Sequence, residues 1–168
     1  ERAYGHLSKQ TAGLKVLLAT YFGDLRENLP TALSLPIEAL HVDLVRAPGQ
    51  LEPILAQMPD AMRLSMGLVD GRNIWIADLE RATKLLDHAI HTLGPDRILL
   101  GPSCSLLHVP VDLDQETGMD EALRGWMAFA RQKIGEIATL ERYTNDGPET
   151  VREVLAANAE ALERRRKS

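Results

Sequence analysis

The sequence predicts an α/β chain: a helix, then four strand-helix units in succession, then one extra helix, all within a single domain spanning residues 1–168. Three observations carry that expectation. Short apolar runs of strand length alternate with segments whose apolar residues recur every three or four positions, the order that builds a parallel sheet covered by helices. The runs begin near residues 14, 38, 63 and 98, a spacing that matches the βα period of a TIM barrel. Eight such units need about 200–250 residues, and this chain has 168. Four consecutive βα units therefore make half of a (βα)8 ring.

The opening residues Glu1-Arg2-Ala3-Tyr4 read as helix, and Leu14 to Phe22 (LKVLLATYF) as a first strand. A continuous apolar run of this kind suits a strand buried on both faces. A short helical segment is expected around Leu25 to Leu35, disturbed by Pro30, whose ring removes a backbone donor. Glu38 to Arg46 (EALHVDLVR) forms the second strand and Leu51 to Met58 a short amphipathic helix. The third strand, Arg63 to Val69 (RLSMGLV), is stopped by Asp70-Gly71, a turn pair in which glycine supplies positive φ at little cost. Asp78 to Leu93 places Leu79, Ala82, Leu85, Leu86, Ala89, Ile90 and Leu93 on one helical face before Gly94-Pro95 ends it. Ile98 to Leu100 begins the fourth strand, which closes at Gly101-Pro102. Met119 to Leu140 is expected to be one long helix with Leu123, Trp126, Met127, Ala130, Ile134 and Ile137 on a stripe, and Thr150 to Leu162 the last helix. The tail 163–168, with Arg164-Arg165-Arg166-Lys167, is expected to be linker-like, its positive charge sitting where a helix C-terminus favours it.

Composition narrows the function classes. A hydrophobic share of 45% and a charged share of 26% exclude a disordered chain. The formal net charge of -5 leaves no extended basic surface to neutralise phosphates, which argues against nucleic acid or an anionic membrane as a partner. Cys104 is the only cysteine, so no disulfide can form within the chain, and with no apolar run of spanning length the expected location is cytoplasmic. The absence of methionine at Glu1 suggests a segment of something longer.

Candidate chemistry concentrates on two strands. In the second, alternation sets His41 and Asp43 on one face and Leu40, Val42 and Leu44 on the other. A histidine near a carboxylate can be an acid/base pair or part of a metal site, but the expected role is an interior network that satisfies buried polar groups. After the fourth strand, Ser103, Cys104 and His108 lie at a strand's C-terminal end, where barrel active sites form. A nucleophilic thiol needs a cationic or basic neighbour, and zinc needs about four ligands. One cysteine with scattered histidines does not supply them. His88 and His91 lie three apart on a helix without a third ligand. No Gly-rich phosphate loop, nucleophile elbow or Cys-x-x-Cys pair occurs.

Several segments carry a resemblance: LLATYFGDLRENL (Leu17 to Leu29), LHVDLVR (Leu40 to Arg46), GLVDGRNIWIADL (Gly67 to Leu79), SCSLLHVPVDL (Ser103 to Leu113) and GWMAFARQK (Gly125 to Lys133). In this order they resemble cobalamin-independent methionine synthase, and the likeness covers most of the chain. It implies the second half of that family's N-terminal barrel, in an enzyme of two barrels whose zinc, held in the C-terminal barrel, makes homocysteine a thiolate that takes a methyl group from a methyltetrahydrofolate polyglutamate. On that likeness the zinc ligands lie beyond Ser168 and the basic contacts to the folate tail before Glu1. No catalytic, cofactor-binding or metal-binding residue is then expected here, and Cys104 is a relic of duplication. The segment departs from the family pattern at Ile76, where arginine is expected, which puts any ion pair at that point in doubt. The expected partners are the remainder of the longer chain and, for the fragment alone, a second copy. The alternatives are a free-standing half-barrel interaction module and a small independent enzyme using His41, Asp43 and Cys104.

Overall fold

A computed structural model describes residues 2–10 and 13–168; Glu1 of the expected opening helix lies outside them. Helix α1 (Arg2–Gln10) precedes β1 (Leu17–Ala19), α2 (Leu29–Leu33), β2 (Ala39–Asp43), α3 (Leu51–Gln57), β3 (Arg63–Val69), α4 (Leu79–Leu93) and β4 (Ile98–Pro102). Three more helices follow, α5 (Glu121–Arg124), α6 (Ala130–Asp146) and α7 (Arg152–Lys167). The strands form one parallel sheet in the order β1-β2-β3-β4. Strand neighbours that follow chain order, joined by helices, are the wall of half a barrel.

Alternation divides the sheet into two faces. Leu40, Val42, Leu64, Met66 and Leu68 join Leu33, Leu51, Ile54, Leu79, Leu86 and Leu140 in one buried cluster, so this face is sealed by helices. Full burial of each such side chain stabilises by about 1.5–3 kcal/mol. At the end of β3 the register with β4 shifts between Gly67 and Val69, and the bulge turns both Leu68 and Val69 into the core. The opposite, concave face carries Ala39, His41, Asp43, Ser65, Gly67 and Gly101.

Four expectations need correction. The run from Leu14 to Phe22 yields only three strand residues, and Leu17, Tyr21 and Phe22 are 45%, 48% and 43% exposed. Burial on both faces needs protein beyond the sheet, and β1 is an edge. Pro30 does not disturb its helix but sits in the first turn of α2, where a missing N–H costs nothing. The expected long helix from Met119 is broken: α5 is capped by Asp120, whose Oδ1 accepts from the Leu123 N–H, and ends at Gly125. The chain turns at Trp126 and Met127 bridges antiparallel to Trp75, with Ile76 N–H donating to the Trp126 carbonyl at 3.0 Å and Ala128 N–H to the Ile74 carbonyl at 2.8 Å. These cross-chain bonds outcompete the helix that the apolar spacing suggested. Finally, the last helix does not stop at Leu162: α7 continues to Lys167, with Arg165 stacked 4.9 Å over the Trp75 ring and Arg166 paired to Asp78 at 3.9 Å.

The segment between β3 and α4 is clasped from two sides. From α6, the buried Lys133 amine donates to the Trp75 carbonyl at 2.8 Å, and Glu136 Oε1 accepts from the Ala77 N–H at 2.7 Å. Burial pushes the Lys133 amine down and the Glu136 carboxyl up, each partly offset by the other's charge. From α7, Asn158 acts as a peptide surrogate: its Oδ1 accepts from Leu79 N–H at 3.2 Å and its Nδ2 donates to the Ala77 carbonyl at 2.9 Å. Asn158→Ala strands both backbone groups and is expected to cost about 1–3 kcal/mol, measured as a shift of the urea midpoint. Leu64→Ala, in the middle of the sealed face, is expected to cost about 2–5 kcal/mol by the same measurement.

Candidate functional site

Strand register assembles the concave face. His41 on β2 lies beside Ala19 on β1 and Ser65 on β3, and Ser65 lies beside Leu99 on β4. One residue pair further along, Asp43, Gly67 and Gly101 share a row. Small side chains leave an open hollow of about 390 Å³ lined by Leu17, Tyr21, His41, Ser65, Cys104 and their neighbours. The interior of a closed barrel is ordinarily filled by bulky branched residues, and this face, with its small side chains, is open.

His41 is 8% exposed and its Nδ1 lies 2.8 Å from Ser65 Oγ. The ring is also hydrogen-bonded to the Ser103 backbone. Burial lowers its pKa from 6.5, while the Ser103 bond and the Asp43 charge push the other way. The ring bridges β2, β3 and the segment after β4, and it does so across glycine. A Cβ on Gly67 would come within 2.8 Å of Ser103 Cα and the Val42 carbonyl oxygen, and within 3.2 Å of His41 Cε1. Gly67 therefore permits the close approach on which the histidine's contacts depend.

Asp43, 1% exposed, is spent on backbone. Its Oδ1 accepts from the N–H groups of Val45 at 3.0 Å and Arg46 at 2.9 Å, and its Oδ2 from Phe22 N–H at 3.2 Å. The structure thus places His41 and Asp43 on one face, as alternation predicted, yet gives Asp43 the work of fastening the ends of β1 and β2. One consequence is Phe22 at φ +73°, a left-handed conformation that costs a bulky residue on the order of 1–3 kcal/mol.

Ser103 is buried, accepting at Oγ from Gly71 N–H at 3.2 Å and donating its own N–H to the Val69 carbonyl at 2.7 Å. Cys104 is buried too, with Sγ 3.8 Å from the Ser105 carbonyl. Burial raises its pKa, and the nearby Asp70 and Asp43 charges add to this against the Ser103 hydrogen bond and Arg72. A thiol held protonated is a poor nucleophile and a poor metal ligand. His108 stands apart from these groups, exposed at the rim with its ring 5.9 Å from that of Phe22. His88 pairs with Glu52 across α3 and α4 at 2.7 Å, and His91 is exposed, so the helix pair does not converge on a shared ligand. Among the described residues no group of three or more His, Cys, Asp or Glu side chains is placed to hold a metal ion.

The residues that sequence reasoning overlooked are Ser65, Gly67, Phe22 and Arg72. Gly67 inside RLSMGLV was the available signal, since an interior glycine in a strand marks a close approach. The stacking of Arg72 on Phe22 joins two loops far apart in sequence and left no local signature.

Two outcomes follow. Gly67→Ala is expected to destabilise by about 1–3 kcal/mol through overpacking, with the His41 ring resonances displaced in the NMR spectrum. Because His41 has a lowered pKa in the folded state, the unfolded chain takes up the proton first as pH falls. Its contribution to stability is full above pH 6.5 and is lost as pH drops through 6.5 toward the depressed folded value. Denaturation across pH 5–8 should show that loss, and His41→Gln should flatten it.

Comparison with known proteins agrees with this architecture. Residues 1–93 match the family described as cobalamin-independent synthase, N-terminal domain. The 5-methyltetrahydropteroyltriglutamate–homocysteine methyltransferase of Syntrophotalea carbinolica is 52% identical over 165 residues, covering 98% of this chain and 22% of the relative. Proteins of the same name from Rhodopseudomonas palustris and Coxiella burnetii are 48% and 50% identical, covering 99% and 92% of this chain and 21% and 20% of their own lengths. The chain spans about a fifth of these relatives. With four parallel βα units in the right order and more than half its length matching the family's N-terminal domain, this chain belongs to the cobalamin-independent synthase family.

Proposed function

We propose that this chain works as part of a longer methyltransferase that makes methionine by moving a methyl group from a 5-methyltetrahydropteroyl polyglutamate to homocysteine, and that its own part is scaffold. The supporting observation is that it aligns along nearly its whole length with relatives of that name while covering only about a fifth of them. In this reading it is the second half of the N-terminal barrel. The preceding half supplies the strands that pair with β1 and β4, and a further barrel carries the reacting centre.

The geometry favours a structural role for the concave face. Ser65 and the Ser103 backbone occupy His41, three backbone N–H groups occupy Asp43, and Cys104 is kept protonated. These residues do not fit the zinc of the family, and the metal belongs to the longer protein beyond them. Both sheet edges support incompleteness. Beyond β4 runs a groove of about 400 Å³ lined by Ile98, Leu100, Ile137 and Thr144, room for a few side chains of an adjoining element. Unpaired strand edges are covered or paired in stable proteins. Expressed by itself, the chain should pair with a second copy to close its edges.

The proposed setting is the cytoplasm. No helix among the described residues is long and apolar enough to cross a membrane. The test compares two purified proteins. The product of the full-length gene should contain zinc and convert homocysteine to methionine with a methyltetrahydropteroyltriglutamate donor, whereas residues 1–168 alone should do neither and should sediment as a dimer. Zinc retained by the short chain, or methyl transfer by it, overturns the scaffold reading; a monodisperse monomer at high concentration overturns the pairing.

A further inference from the structure

We propose that the concave face of the sheet is packed, in the longer protein, by large apolar side chains from an opposite wall of different sequence, and that Gly101 marks where one of them comes closest. This rests on the half-barrel reading above and adds to it the chemistry of the surface that this face fits.

The polar groups of the face are already committed. His41 and Ser65 lie 2.8 Å apart and bond to each other, and Asp43 accepts from three backbone N–H groups. An approaching molecule therefore finds little hydrogen bonding there. What remains is apolar, with Leu17 and Tyr21 lining the hollow and exposed, and such surface gains by leaving water.

Gly67 and Gly101 share a row across β3 and β4, but they are glycine for different reasons. A Cβ on Gly67 would strike Ser103 Cα and the Val42 carbonyl oxygen at 2.8 Å. On Gly101 it would meet only His41 Cε1, at 3.7 Å, an ordinary contact. Nor does Gly101 adopt the left-handed backbone that favours glycine. A glycine inside a strand weakens it, and one that neither its backbone nor a neighbour requires marks the close approach of something else. Nothing within the described residues makes that approach, so the group comes from outside them.

Continuity says which group. The hollow reaches both unpaired edges, β1 at Leu17 and Ala19 and β4 at Gly101 and Pro102, so strands that complete those edges also wrap around it. The relatives are about five times as long as this chain and have length for such strands. A second copy would pair the edges, yet it would turn an identical hollow toward this one, leaving a void where a barrel needs a close-packed core. The natural opposite wall is therefore unlike this one and carries large aliphatic or aromatic residues facing Gly101.

The test uses the full-length protein that carries this segment, without substrates. Gly101→Ala should lower its urea midpoint by about 0.3–1 M, and Gly101→Val should lower it further, because each adds volume to a filled space. Gly135→Ala, on exposed α6 where a Cβ meets nothing within 4 Å, should leave the midpoint unchanged or raise it. If the space beside Gly101 is open, Gly101→Ala behaves like this control, since alanine only restricts the unfolded chain. A Gly101→Ala midpoint at or above the wild type thus overturns the inference. Should the Gly101 variants fail to fold, xenon-pressurised crystals of the wild type decide: no xenon beside Gly101 and an apolar side chain from another strand there support it. Xenon in the hollow, a small molecule filling it, or a second copy facing it overturns it. None of these outcomes touches the methyltransferase reading, which fails if the wild type transfers no methyl group to homocysteine.

Discussion

A parallel sheet of four strands can seal one face with its own crossover helices and has nothing of its own with which to seal the other. That constraint organises this chain. Leucine, valine and methionine side chains of β2 and β3 pack into the helical layer, and the opposite face is left with alanine, serine, glycine, histidine and aspartate around a hollow. The strands at the two ends keep one hydrogen-bonding edge each without a partner in the sheet. Exposure of Leu17 on β1 and of Tyr21 and Phe22 just after it, and the half-buried character of all of β4, are the same fact seen at the side chains.

The polar groups on the concave face cross-link the sheet. His41 joins β2, β3 and the segment after β4 because Gly67 lets it approach Ser103, and Asp43 fastens the ends of β1 and β2 through backbone N–H groups. Such groups are conspicuous in a sequence because histidine, aspartate, serine and cysteine are also the residues of catalysis. Their hydrogen bonds decide the matter. A carboxylate with three backbone donors and a thiol kept neutral by burial have little capacity left for other chemistry.

Much of the architecture was legible in the residues. Period-two alternation in LHVDL assigned both faces of β2, the three-four spacing of Leu79 to Leu93 located α4, and strand starts at fixed intervals announced the barrel wall. Failures occurred where a distant segment overrides local preference. Leu123, Trp126 and Met127 have helical spacing, but the backbone from Trp126 to Ala128 bonds to residues 74–76 and leaves the helix. The basic tail reads as a solvated end until Trp75 and Asp78 offer Arg165 and Arg166 partners. Of the five candidate residues, the sequence located all at the concave face or strand ends, and it carried no sign of the distant partners of His41, Ser103 and Asp43, because Ser65, Gly71 and Phe22 lie more than twenty residues away from the groups they engage.

The central claim, that the edges of this sheet are completed by protein outside the 168 residues, is tested most directly by amide hydrogen exchange. The chain, diluted until monomeric, would be compared residue by residue with the same segment inside the full-length protein. Outward amides of β1 and β4 should exchange much more slowly in the longer protein, while those of β2 and β3, already paired on both sides, should change far less. Equal protection of the β1 and β4 amides in the two proteins would contradict the account.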